Sequence, residues 1–409
     1  MWLFIRSNAR WLGAGVILTF LSSFGQTFFI GLSGNALREE FALSEGGFGL
    51  LYMAATLASA VSLPFVGRLL DYMPAWKVAA FSMPGLAAAC LLVVIAPHVA
   101  VLAIAIWLLR LFGQGMMTHI ALTQTGRWFA ASRGRAVSLV VPGHQLGEAA
   151  LPILFVSLAA LLGWQGAWTA SALFILVMLP VMVWLLREDR IPENPYGEAG
   201  PGSQQRQWTR AEVLRDPVFY LLLTGVLAPP FIGTTIFFHQ GHFIELRGYD
   251  PLVFASAFPL MAVTTIVFGL VCGALIDRFG AVRILPFFLT PLTIASLTAG
   301  LLTPVWGVYL FMFLVGVSYG FTATLLGALW PEVYGVTHLG GVRAIIVSAM
   351  VLSTAIGPGL TGVLIDQGIN LPTQLIFMAG WCVAASVCLA FGSRVIRRRQ
   401  PGFQSAAKT

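Results

Sequence analysis

Apolar runs of about twenty residues, separated by short polar stretches, recur along this 409-residue sequence from end to end. A helix rising about 1.5 Å per residue needs about 20 apolar residues to cross ~30 Å of hydrocarbon, and each run has that length. We read spans at residues 11–33, 46–66, 78–96, 99–122, 136–162, 164–186, 218–238, 252–272, 284–302, 306–329, 344–364 and 374–391, twelve in all. Within hydrocarbon every backbone N–H and C=O must be bonded internally, which restricts such runs to helices. The pattern therefore predicts an all-α polytopic membrane protein. The first run follows Arg6 and Arg10 as a secretory leader would. It is too long for one, however, and lacks a small-residue cleavage site, so it reads as an uncleaved span.

Composition agrees with the pattern and sharpens it. Hydrophobic residues make up 58% of the chain and charged residues 10%, and the mean hydropathy is +0.86; a soluble domain carries roughly 25% charged residues. A net charge of +7 would suit a nucleic-acid binder, but here the basic residues sit in short loops between spans, so no nucleic-acid partner is expected. With the N-terminus inside, 20 of the 23 Lys and Arg residues fall on the cytoplasmic side, Arg38 and Arg247 fall opposite, and Arg110 lies inside span four. Basic loops are retained in the cytoplasm. Both termini are thus expected to be cytoplasmic, in a bacterial inner membrane. The four cysteines, at 90, 272, 382 and 388, lie in apolar segments and form no disulfide framework.

The longest polar stretch, about Arg187 to Asp216, divides the spans six and six. It yields an N-terminal bundle at 1–190, a central cytoplasmic loop at 191–216, and a C-terminal bundle with a short tail at 217–409. Thr209 and Glu212 have capping-box spacing and predict a short helix ending at Asp216-Pro217. The halves also repeat. Gly67-Arg-Leu-Leu-Asp71 with Lys77 follows span two, and Gly273-Ala-Leu-Ile-Asp277 with Arg283 follows span eight, 206 residues downstream. A weaker echo pairs Arg133-Gly-Arg-Ala136 with Gly341-Val-Arg-Ala344.

Two six-helix halves and a Gly-x-Leu-x-Asp-x5-Lys/Arg signature in the loop after the second helix of each half resemble the major facilitator superfamily. The second copy, with Asp277-Arg278-Phe-Gly280, stays close to the family pattern, whereas Tyr72, Met73 and Pro74 depart from it in the first. The resemblance implies two pseudo-symmetric bundles. It also implies a gating role for Gly67, Asp71, Lys77, Gly273, Asp277, Arg278 and Arg283, with the second loop the stronger latch. Simple loop charge that sets topology is the alternative reading. Arg110-Leu-Phe-Gly-Gln114-Gly115 is similar to the family's Arg-centred signature in helix four. Gly357-Pro358-Gly359 is similar to an exporter kink, but it stands in span eleven rather than span five. The region from His239 to Pro251 has the general look of monocarboxylate and oxalate-type carriers. Spans eight and eleven have no Lys or Arg in their interiors, so Arg110 would have to anchor a carboxylate.

Polar residues inside the spans are the remaining candidates for chemistry. Thr19, Ser22, Ser23, Gln26 and Thr27 form one stripe on span one, which either bonds to neighbouring helices or lines an aqueous path. By resemblance Gln26 and Gln114 become ligand contacts. Arg110 lies ~16 Å into span four and Glu148 ~18 Å into span five, so both sit near the midplane. An ion pair between them is expected, with His144 one turn from Glu148, serving either as a static pair or as a proton-coupled one. His239, His242 and Glu245 at i, i+3, i+6 share a helical face, but usual hydration at that depth and the lack of nearby thiols argue against a metal, and no cofactor is expected.

Repeated helix bundles and a midplane site point to a secondary transporter of a small solute, driven by protons or a counter-substrate and working as a monomer among lipids. The substrate suggested is a small organic anion. The alternatives are an efflux pump for lipophilic compounds or a metal or metalloid species, and a non-transporting receptor or sensor on the same scaffold. An enzyme would need a metal cluster, an activated nucleophile or paired carboxylates, and none is evident.

Overall fold

The structure, a computed structural model, describes residues 2–129, 132–188, 207–335 and 338–399. Most of the central loop and the tail beyond residue 399 lie outside them. All regular structure among the described residues is helical. Ten helices among the described residues are long and apolar enough to cross a membrane: Glu45–Tyr72, Ala75–Ile95, Val99–Trp128, Gly134–Leu186, Pro217–Phe238, Pro251–Phe279, Ala281–Leu301, Trp306–Tyr334, Gly341–Asp366 and Leu371–Arg399. A shorter apolar helix, Ala9–Gly25, precedes them. The 53-residue helix Gly134–Leu186 is two spans, broken at Gly163, whose φ of 73° favours glycine. Counting the short first helix as span one and dividing at Gly163 recovers the twelve passes read from the sequence.

The chain packs as two compact units, one of residues 1–200 with 237–258 and the other of 201–236 with 259–409. In the first, spans three and one pack along the span five–six helix. Its core includes an aromatic cluster in which Phe29, Phe155 and Trp168 meet edge to face at 5.0 to 5.6 Å between ring centroids. The Trp168 indole N–H is satisfied by Ser33 Oγ at 3.1 Å. In the second unit, span nine packs on spans ten and twelve, and span seven on span twelve. At one end Asp216, 4% exposed, accepts from Arg399 Nη1 at 2.9 and 3.0 Å and from the Tyr334 hydroxyl at 3.3 Å. The helix expected before span seven is present as Arg210–Arg215. Its Thr209 and Glu212 form the reciprocal cap, with Thr209 N donating to Glu212 Oε2 at 2.8 Å.

Candidate functional site

Spans one and four are both irregular where they cross. Span one is α-helical over Ala9–Leu21, tightens to a 3-10 turn at Ser22–Gly25, breaks at Gln26 in an extended conformation and resumes at Thr27–Gly31. Span four is α-helical over Val99–Leu108, widens to a π-helix at Leu109–Met117 and returns to α at Thr118–Trp128. The cause lies in their contact. A Cβ on Gly25 would collide with the Leu109 carbonyl and lie 2.7 Å from Gly113 Cα, so two glycines bring the backbones together. Wide turns and broken helices at membrane depth are common where a site is built.

Arg110 occupies this crossing and is 2% exposed. The break at Gln26 leaves the Gly25 carbonyl outside the helical ladder, and Arg110 Nη1 donates to it at 3.2 Å and to Thr27 Oγ1 at 3.4 Å. The guanidinium lies 5.4 Å from the centre of the Tyr52 ring, whose hydroxyl meets Thr27 Oγ1 at 2.6 Å. Nε has no partner, and among the described residues no carboxylate pairs with the cation. Gln26 and Gln114 are half-buried beside it.

The expected pair of Arg110 with Glu148 is therefore not formed here. Glu148, 6% exposed, faces His144 instead, with Nε2 to Oε1 at 3.4 Å across one turn of span five. Each charged group has taken a nearer partner: the freed carbonyl for Arg110 and the i−4 imidazole for Glu148. The polar stripe on span one is mostly a packing surface. Thr19 donates to the Val140 carbonyl at 2.8 Å, Ser22 to the Thr19 carbonyl at 2.6 Å, and Ser23 is buried against Gly147. Only Gln26 of the five retains substantial exposure.

The signature loops differ. In the first, Asp71 Oδ1 pairs with Arg127 Nη2 at 2.6 Å, and Arg127 also donates to the Leu70 carbonyl at 2.7 Å. Lys77 lies over the Trp76 ring, and the Gly67 carbonyl is 3.3 Å from His119 Nε2. In the second, Asp277 has no ion pair among the described residues, Arg278 lies over the Phe279 ring, and no contact of Arg283 stands out. There Glu332 of span ten accepts from the backbone N–H groups of Ala281 at 2.8 Å and Val282 at 3.2 Å. Arg127 and Glu332 were not singled out from the sequence. The signal for both is weak: one charged residue in the last turn of a span.

His239, at the break between helices Ala228–Phe238 and Gln240–Arg247, and His242 on the second of them do converge, but on Glu45 rather than Glu245. His239 Nδ1 lies 3.0 Å from Glu45 Oε2, His242 Nδ1 lies 2.9 Å from Oε1, and Arg38 Nη2 lies 2.8 Å from Oε1. With Arg38 already on the carboxylate, a divalent cation would be repelled, and no metal-holding group occurs among the described residues. Glu45, the first residue of span two behind the Ser44 cap, reads in sequence as a helix-dipole partner and so gives no hint of this cluster.

The profile of the Major Facilitator Superfamily matches this sequence at residues 15–342 and again at 248–409. No curated protein sequence matches it. Among solved structures, similar ones include two of a bacterial homolog to the human lysosomal transporter Spinster, both inward-facing, one unoccupied and one occupied. The unoccupied one is 14% identical, with a TM-score of 0.72 over 96% of this chain and 98% of that one. The occupied one is 15% identical, with a TM-score of 0.72 over 97% and 98%. At such identity the likeness is one of fold.

Proposed function

Because the chain belongs to the Major Facilitator Superfamily, and is therefore an integral membrane transporter working by alternating access, we propose that it is a secondary carrier of a small organic anion held by Arg110. The observation that carries this is a buried guanidinium with a carbonyl, a hydroxyl and a ring for company and, among the described residues, no carboxylate. An uncompensated charge at membrane depth costs several kcal/mol. An anionic substrate supplies the missing counter-charge, and the unused Nε leaves a donor for it. Gln26 and Gln114 would hydrogen-bond the remainder of the solute.

The drive we assign to protons. Glu148 lies beside His144 in the same unit, and protonation of the carboxylate would weaken its hold on the imidazole. Glu148 would pair with Arg110 when ionised in another state, and on gaining a proton would free Arg110 to hold the substrate. The functional halves are residues 1–190 and 217–409, joined by 191–216, with both termini cytoplasmic in a bacterial inner membrane and the monomer as the working form. That orientation rests on the Lys and Arg asymmetry of the loops.

Purified protein in liposomes tests this reading, with small carboxylates offered with and without a pH gradient. Arg110→Gln should reduce carboxylate uptake about 100-fold or more, the scale set by losing a buried charge-assisted contact. Glu148→Gln should abolish accumulation driven by the gradient but preserve exchange, since the amide mimics the protonated acid. Wild-type accumulation by Glu148→Gln would remove Glu148 from the coupling step.

A further inference from the structure

A cavity of about 920 Å³ lies within the first unit, sharing no residue with the Arg110 site. Its walls come from residues 32–36, from residues 155–164 around the Gly163 break, and from residues 240–255. Phe155, Trp164, Ile244 and Phe254 give it an apolar, aromatic interior. Pockets of ~300–1,000 Å³ accept drug-sized molecules.

The charged groups lining this space have one sign. Glu245 and Asp250 line it, both exposed, and no Lys, Arg or His does. Gln240 also lines it and is 1% exposed. Its Nε2 donates to the Phe28 carbonyl at 2.7 Å, which fixes the amide and leaves Oε1 buried without a partner. This unpartnered oxygen is the negative end of the amide dipole, so it adds to the attraction of the site for a positive charge. Aromatic faces beside two carboxylates attract a cation and repel an anion.

We propose that this cavity binds a lipophilic organic cation, its apolar body between the aromatic walls and its charge toward Glu245 and Asp250. The site is independent of the anion reading for Arg110, and either stands if the other fails.

Equilibrium binding of radiolabelled tetraphenylphosphonium to the full-length protein in lipid nanodiscs is the test, with tetraphenylborate as a probe of matched shape and opposite charge. Saturable 1:1 binding of the phosphonium is expected, with no saturable binding of the borate. Glu245→Gln with Asp250→Asn should weaken phosphonium binding about tenfold, each exposed charge contributing about threefold. The new Asn can still cap the helix at Pro251, because Asn and Asp cap equally well. Ala159→Trp, which puts an indole into the cavity where the apolar body would lie, should weaken binding at least tenfold, while Arg110→Gln should leave it unchanged. Equal binding of both probes would assign the cavity to lipid chains and overturn the proposal. Absence of phosphonium binding, or binding indifferent to the charge pair, would overturn it as well.

Discussion

The loops after spans two and eight carry the same signature at a constant offset, and the helices that follow start at Ala75 and Ala281, also 206 residues apart. Their supporting contacts are nonetheless of opposite polarity. In the first loop the end of span four supplies a cation, Arg127, which takes the signature Asp71, and span three begins behind Pro74 with no side-chain cap. In the second the end of span ten supplies an anion, Glu332, which takes the first two N–H groups of span nine, and Asp277 is left without an ion pair among the described residues. The same job, tying a loop to a neighbouring helix, is done in one half by an exposed ion pair and in the other by a carboxylate on a helix N-terminus. A repeated motif thus conserves the position of a contact more faithfully than its chemistry.

Three substitutions probe this difference, ordered by their effect on unfolding in nanodiscs. Glu332→Ala removes two charge-assisted hydrogen bonds from a helix start and should destabilise the protein by about 2 kcal/mol. A negligible shift in its unfolding midpoint would mean that the second loop is not held from span ten. Asp71→Asn breaks a pair whose side chains are 46% and 58% exposed, so screening limits the loss to about 1 kcal/mol or less. Raising the salt should erase most of that difference, and a salt-independent loss would count against the ion pair as its source. Asp277→Asn should leave the midpoint where it is, since the side chain has no ionic partner in this conformation. It should still slow transport severalfold, as the family resemblance expects, through contacts made in the other state. Rates equal to wild type in liposomes would relegate Asp277 to topology alone.

The parts of the molecule legible in sequence were those that depend on neighbours a few residues away. The twelve runs, the division at Gly163, the Thr209–Glu212 cap and the approach of His144 to Glu148 all follow from spacing of at most one helical turn or from the length of an apolar run. The parts that stayed hidden depend on distant segments. Glu45 meets His239 across 194 residues, and Arg127 meets Asp71 across 56. Neither carries a local pattern that differs from an ordinary helix end. The fate of Arg110 was hidden for another reason. Its partner is a backbone carbonyl set free by a break at Gln26, and a side-chain inventory offers no view of such groups.

The π-helix at Leu109–Met117 has a consequence for register. A π turn holds more residues than an α turn over the same path, so this stretch stores length that a regular helix would have had to show as a bulge or a kink. Tightening it by one residue turns the side chains on one side by about 100° relative to those on the other, since an α-helix advances 3.6 residues per turn. Such a rotation would swing Arg110 away from the Gly25 carbonyl and turn Val99 relative to Trp128. The direction in which Arg110 points is thus tied to the number of residues held in the wide turn of span four.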